Sequence, residues 1–368
     1  MRRLYSFSHA SASRKKTSSV LVKIQRGRHV GFGEGCPRKY VTGETVEGAV
    51  EWIRRIRKSI SSIATIDALK EWVLSNESII FKNPSAWCAV ETALIDLIGK
   101  ERGRTVNELF ETPATLSTQK VTAVISDGTI EFVESLMVKC LKFGFTDFKI
   151  KLTGMVEKDC VKTRLLRKYL TEECSVRVDF NNAFSSTDID GFVRYLHKLN
   201  YRFSAIEEPF EPFAVCAMQQ VAAKIDVPII LDESFLTFSD IEGLDGNDRF
   251  IPNIRISKLG GGLVNTLRFV ELIRQNEIPI ILGSLVGETS ILARLWLVVA
   301  ACCPSMIYAA EGAYTTHLLE DDITTSPIVV KPPGIVDVPA AITNSPGLGI
   351  EISPEAQRYL DVAGEQLN

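Results

Sequence analysis

Six ionisable residues stand where apolar runs of this sequence end, and their order has chemical meaning. Lys149 and Lys151 come first, then Asp179, Glu207 and Asp232, then Lys258. Three carboxylates on neighbouring elements would repel one another unless some were neutral or a cation joined them. A divalent cation resolves this, and oxygen ligands without His or Cys favour Mg²⁺. The lysines flank the carboxylates on both sides. A lysine is a base only when its pKa falls, and neighbouring cations push it that way. Two opposed bases beside a carboxylate-bound Mg²⁺ can remove a proton α to a substrate carboxylate and stabilise the resulting anion. The alternatives are plain: each carboxylate could cap the helix after its strand, and the lysines could merely neutralise acids.

The elements that must position these residues repeat. Short apolar runs occur at Val121–Ile125, Phe148–Leu152, Val176–Phe180, Ala205–Ile206, Val227–Leu231, Ile254–Ile256, Ile278–Leu282 and Met306–Ala309, each followed by a helix-like stretch. Eight strand–helix units make a (β/α) barrel, whose strands converge on one mouth at their C-terminal ends. Alternation puts Lys149 and Lys151 on the same side of their strand. Residues 1–118 instead mix hairpin-like runs with helical patterns at Glu44–Ile60 and, after an Asn83-Pro84-Ser85 start, Ala86–Ile98. Residues 326–368 are Pro-rich. The expected fold is therefore α/β: a TIM-type barrel over 119–325, with an α+β capping domain from residues 1–118 to which the tail 326–368 returns.

Composition narrows the classes. The chain has 368 residues, 45% hydrophobic and 24% charged, with net charge −3. That fits a globular protein and gives no bulk electrostatic case for nucleic acid. No apolar run reaches the ~18 residues of a membrane span. Eight cysteines without a C-x-x-C pair read as reduced thiols of a cytoplasmic protein. A homo-oligomer is expected.

Residues 28–325 resemble the muconate-lactonizing subgroup of the enolase superfamily, which includes dipeptide epimerases and o-succinylbenzoate synthases. The motifs are Phe148-Lys149-Ile150-Lys151, Val178-Asp179-Phe180-Asn181, Ile206-Glu207-Glu208-Pro209, Leu231-Asp232-Glu233-Ser234 and Ser257-Lys258-Leu259-Gly260-Gly261. The resemblance implies Asp179, Glu207 and Asp232 as ligands of Mg²⁺, with Mn²⁺ as a substitute, and Lys151 and Lys258 as the acid/base pair. It implies that Lys149 helps hold the substrate carboxylate, and that Asn181, Glu208 and Glu233 support the metal site from behind. Glu288, Glu311, and His9 and Arg14 of a loop over Ser6–Lys16 are candidate substrate contacts. The Asp-x-Asp that dipeptide epimerases carry after the eighth strand is replaced by Ala310-Glu311-Gly312-Ala313. The resemblance also implies several more residues of first strand before Leu4.

The expected activity is Mg²⁺-dependent abstraction of the proton α to a carboxylate, with racemisation or epimerisation of an amino-acid derivative or dipeptide as the outcome. Cycloisomerisation and syn β-elimination use the same parts. A Schiff-base aldolase using Lys258 and a barrel kept only for binding are the remaining readings; the carboxylate trio opposes the first and the intact set of groups opposes the second.

Overall fold

The computed structural model describes residues 2–9, 12–114, 116, 118–244, 249–338 and 343–360. Two antiparallel hairpins open the chain. The first joins β1 (Arg2–His9) to β2 (Ala12–Lys16), and the second joins β3 (Val20–Arg26) to β4 (His29–Gly35). The loop expected over Ser6–Lys16 thus has the backbone of a hairpin.

The helix Pro84–Arg102 is buried from Pro84 to Gly99, so it is an interior rod between β4 and the barrel rather than a surface helix. It starts with a first-turn proline and ends on Gly103, whose φ of 63° suits glycine. Asn83 makes no capping side-chain bond. Glu44 does that work, accepting from Ser85 N at 2.9 Å and Ala86 N at 3.0 Å.

Gly31, Gly33 and Gly35 of β4 lie directly on this helix. A Cβ at these positions would fall 2.1 Å from Ala93 O, 2.1 Å from Ala89 O and 1.9 Å from Ser85 O, respectively. Only hydrogen fits.

After β5 (Thr118–Lys120) come eight strands, each parallel to the next: β6 (Ala123–Ile125), β7 (Asp147–Lys151), β8 (Ser175–Asp179), β9 (Ala205–Glu207), β10 (Ile229–Leu231), β11 (Phe250–Ile254), β12 (Ile280–Leu282) and β13 (Ile307–Ala310). Thr122 N donates to Ala310 O at 2.8 Å, bridging the first and last strands. The sixth strand runs Phe250–Ile254, ahead of the Ile254–Ile256 expected. Pro252 and Asn253 break the apolar run that marked the other strands. The proline is tolerated because pairing with β10 ends at Pro252 and pairing with β12 begins at Asn253.

The strand period of two explains the interior. Ala205, Ile230, Ile251, Ile281 and Ala309 form an apolar cluster of their own. Two residues further along the chain, at or just past the strand ends, come Glu207, Asp232, Asn253, Gly283 and Glu311. The barrel therefore has an apolar floor with a polar layer stacked on it.

In the tail, β14 (Val330–Lys331) pairs with β15 (Ile335–Asp337), and β15 pairs with β5. Further on, Leu348 N donates to Asp96 and Lys100 Nζ donates to Ile350 O, tying the tail to the buried helix. The N-terminal region in turn closes two barrel helices. Glu34 accepts from Thr289 N and Oγ1 ahead of the helix Ser290–Cys302. Glu91 accepts from Val264 N at 2.9 Å, at the start of the helix Leu263–Gln275, whose cap residue Gly262 has no side chain of its own. Burial pushes both carboxyls up to about 7, against the hydrogen bonds they accept. Among the described residues no helix is long and apolar enough to cross a membrane.

Candidate active site

The polar layer opens into a cleft of about 580 Å³. Lys149 and Lys151 enter it from the end of β7, Asp179 from the end of β8 and Asp232 from just past β10. Its neutral wall includes Tyr40, Ser284, Leu285, Val286, Tyr314 and Leu318.

Each carboxylate of the expected trio is turned onto a cation. Asp179 Oδ2 is 2.7 Å from Lys151 Nζ. Glu207 Oε2 is 3.1 Å from Lys149 Nζ. Asp232 Oδ1 is 2.8 Å from Lys258 Nζ, and its Oδ2 pairs with Arg255. Arg255 also reaches Glu207 at 3.6 Å. Accordingly, among the described residues no three His, Cys or acidic side chains already form a metal cage. The donor set is nevertheless all hard oxygen, which suits Mg²⁺, with Arg255 and Lys149 holding the charge a divalent ion would balance.

The two flanking lysines sit in different surroundings. Lys151 donates to Asn181 Oδ1 at 2.6 Å as well as to Asp179, and its own carbonyl accepts from the fully buried Lys162 at 2.9 Å. Lys258 lies four residues past β11 in a turn, 1% exposed, and also donates to the carbonyls of Asp232 and Asn253. Burial and then the Arg255 charge push its pKa down, against the pull of Asp232. Lys149 is the reverse case. Burial lowers it, but Glu207, Glu311 and Asp179 outweigh that and hold it well above the usual lysine range. Its surroundings suit a fixed positive charge, and those of Lys258 suit a base.

The acids divide in the same way. Burial raises Asp179, yet Lys151 and Lys149 bring it to about 2. Burial prevails at Glu207, which lies at about 7. Glu208 is at about 8 and accepts from Asp232 N, Ser234 N and Ser234 Oγ, holding the turn that carries Asp232. Burial and then Asp232 push Glu233 well above the carboxylate range, and its Oε2 has no hydrogen-bond partner among the described residues.

Other candidates fall elsewhere. Glu288 does not line the cleft. It accepts from Leu285 N at 2.7 Å, and burial raises it to about 8; the following helix is capped by Thr289. Glu311 lines the cleft, but both its oxygens are occupied, by Arg177 Nη1 at 2.7 Å and Lys149 Nζ at 2.6 Å. His9 and Arg14 belong to β1 and β2, and their side chains lie outside the described residues. Three residues went unread in the sequence: Arg177, Asn253 and Arg255. Arg177 had a signal, since it precedes Asp179 by two and must share its face.

Residues 132–356 match the model of the enolase C-terminal domain-like family. The chain belongs to that family. Among curated relatives of this enolase-superfamily chain, the hydrophobic dipeptide epimerase of Enterococcus faecalis is 24% identical over 77% of the chain and 79% of its own length. The N-succinyl-L-Arg/Lys racemase of Bacillus cereus is 24% identical over 94% and 90%. In structure, the dipeptide epimerase of Cytophaga hutchinsonii, complexed with Mg and D-Ala-L-Val, superposes with a TM-score of 0.82, at 23% identity, over 98% of the chain and 95% of that protein. These relatives are isomerases. The likeness confirms the barrel with its N-terminal cap as the fold.

Proposed function

We propose that the protein is a racemase or epimerase that moves the α-proton of an amino-acid derivative or dipeptide between the two faces of its α-carbon. The observation that carries this is the row of three carboxylates with a buried lysine bonded to each end, Lys151 on Asp179 and Lys258 on Asp232. Asp179, Glu207 and Asp232 would hold Mg²⁺, or Mn²⁺ in its place. When bound, that ion neutralises the substrate carboxylate and so acidifies the α-proton.

This chain's residues do the rest. One of Lys151 and Lys258, as the neutral amine, takes the α-proton from its face. The other, as the ammonium, returns a proton to the opposite face, and the reverse reaction exchanges their roles. Lys149, held charged, stabilises the substrate carboxylate. Asn181 orients Lys151, and Glu208 supports the turn that bears Asp232, beside which Glu233 lines the cleft.

An N-acyl amino acid suits the cleft better than a dipeptide with a free amine. Such an ammonium needs an anion of its own, and Glu311 is already occupied by Arg177 and Lys149. The test is α-proton exchange in D₂O with Mg²⁺, read by mass spectrometry over pools of N-acyl amino acids and of dipeptides. Deuterium in one compound, with inversion of that centre and sensitivity to EDTA, is the expected result. Deuterium without inversion would favour elimination or cycloisomerisation. Absence of both exchange and Mg²⁺ binding would refute the proposal.

A further inference from the structure

Arg38 is 3% exposed, and among the described residues its guanidinium donates only to oxygens of uncharged groups. Nη1 donates to Ser18 O at 2.9 Å and Pro37 O at 2.8 Å. Nη2 donates to Thr17 Oγ1 at 3.1 Å and Val286 O at 2.8 Å. Thr17 and Ser18 directly follow β2 and are the root of the first hairpin. Val286 belongs to the loop after β12 and lines the cleft. The same two pieces also meet directly. At Gly287, with φ of 102°, an added Cβ would lie 1.9 Å from Thr17 Oγ1.

A third piece of wall depends on Arg38 through its backbone. Its carbonyl accepts from Val41 N and Thr42 N, both at 2.9 Å, closing the turn that presents Tyr40 to the cleft. One residue thus joins the hairpin root, the Tyr40 turn and the Ser284–Val286 wall. It touches none of Lys151, Lys258, Asp179, Glu207 or Asp232 through a hydrogen bond or ion pair.

We propose that Arg38 is a positioning residue that fixes these three segments as one wall and thereby sets substrate affinity, leaving proton transfer to the lysines. A guanidinium serves here because its planar fork bonds several carbonyls at once, which an ammonium cannot do with the same reach. The proposal rests on the cleft being the substrate site, as argued above.

The experiment compares the native chain with Arg38→Ala, Arg38→Lys and Thr17→Val. With whichever compound exchanges its α-proton, Arg38→Ala should raise KM roughly tenfold or more while kcat stays within about threefold. Arg38→Lys should fall between, and Thr17→Val should move KM the same way by less. Independently of any substrate, hydrogen exchange should quicken together at residues 12–18 and 284–287 in Arg38→Ala, while β10 and β12 keep their protection. A fall in kcat at unchanged KM would overturn the proposal, as would unchanged exchange at either segment. If Arg38→Ala does not fold, the Lys and Val variants carry the same two readouts. If no compound is turned over, the function proposed above fails, and the exchange data still decide whether Arg38 couples the segments.

Discussion

Replacing Glu91 by Gln removes one titrating proton and almost no volume. The carboxyl is raised from 4.5 to about 7 by burial, opposed by hydrogen bonds from Val264, Trp87 and Leu263. The folded chain therefore holds this proton more tightly than the unfolded chain does. The stability it supplies is complete below pH 4.5 and is lost as pH rises through about 7. At about 1.4 kcal/mol per pH unit, the loss is about 3 kcal/mol. A glutamine can still accept from Val264 N, but its amide meets the Trp87 Nε1–H donor badly, a fixed cost of about 1–2 kcal/mol. Glu91→Gln should thus be less stable than the native chain at pH 5 and as stable or more so at pH 8. The difference between the two should change by about 2–3 kcal/mol over that range. Urea unfolding followed by tryptophan fluorescence reads this directly, because Trp87 bonds Glu91 and stacks on Trp72 at 4.3 Å. A stability difference that stays constant between pH 5 and pH 8 would refute the reasoning.

Lys151→Ala and Lys258→Ala should each abolish turnover between the two enantiomers with Mg²⁺ binding by calorimetry nearly intact, the remaining lysine still exchanging the α-proton on its own face; loss of binding would move that lysine to a structural role. Asp232→Asn should weaken Mg²⁺ roughly tenfold or more, and an unchanged titration would show the ligand set to be wrong. Glu311→Gln leaves buried Arg177 without its nearest anion and should cost about 3–5 kcal/mol in urea unfolding. A cost under about 1 kcal/mol would mean that Asp147, 3.0 Å from Arg177, suffices.

The barrel was legible because its units repeat, and because ionisable residues ending apolar runs stand out. Lys149 and Lys151 could be placed on one face by alternation alone. The sixth strand was misplaced because Pro252 and Asn253 conceal it, and with it went Asn253 and the start of the turn bearing Arg255 and Lys258. Arg177 was passed over because a basic residue between two valines reads as an interruption rather than as a partner for Glu311, which lies 134 positions away. Glu288 and Glu311 show the same limit from the other side. Their place in the sequence suggested substrate contacts, while the bonds that occupy them come from a neighbouring backbone N–H and from distant cations. No local pattern could reveal that Glu34 and Glu91 end barrel helices, since each acts on a segment far along the chain.

The three glycines of β4 set two repeats against each other. Alternate residues of a strand are about 6.7 Å apart, and every fourth residue of a helix advances about 6 Å. Over Gly31, Gly33 and Gly35 the strand therefore keeps step with Ala93, Ala89 and Ser85, running the opposite way along the helix, and drifts by little more than an ångström. It behaves like a toothed rack. A slip of one residue would force Val30 or Phe32 into a gap that admits only hydrogen, so the strand can engage in one register alone. The hairpin root and the Tyr40 turn, at opposite ends of the β3–β4 ribbon in sequence, inherit their placement from that engagement. New side chains can be tried in those loops without moving the ribbon that bears them.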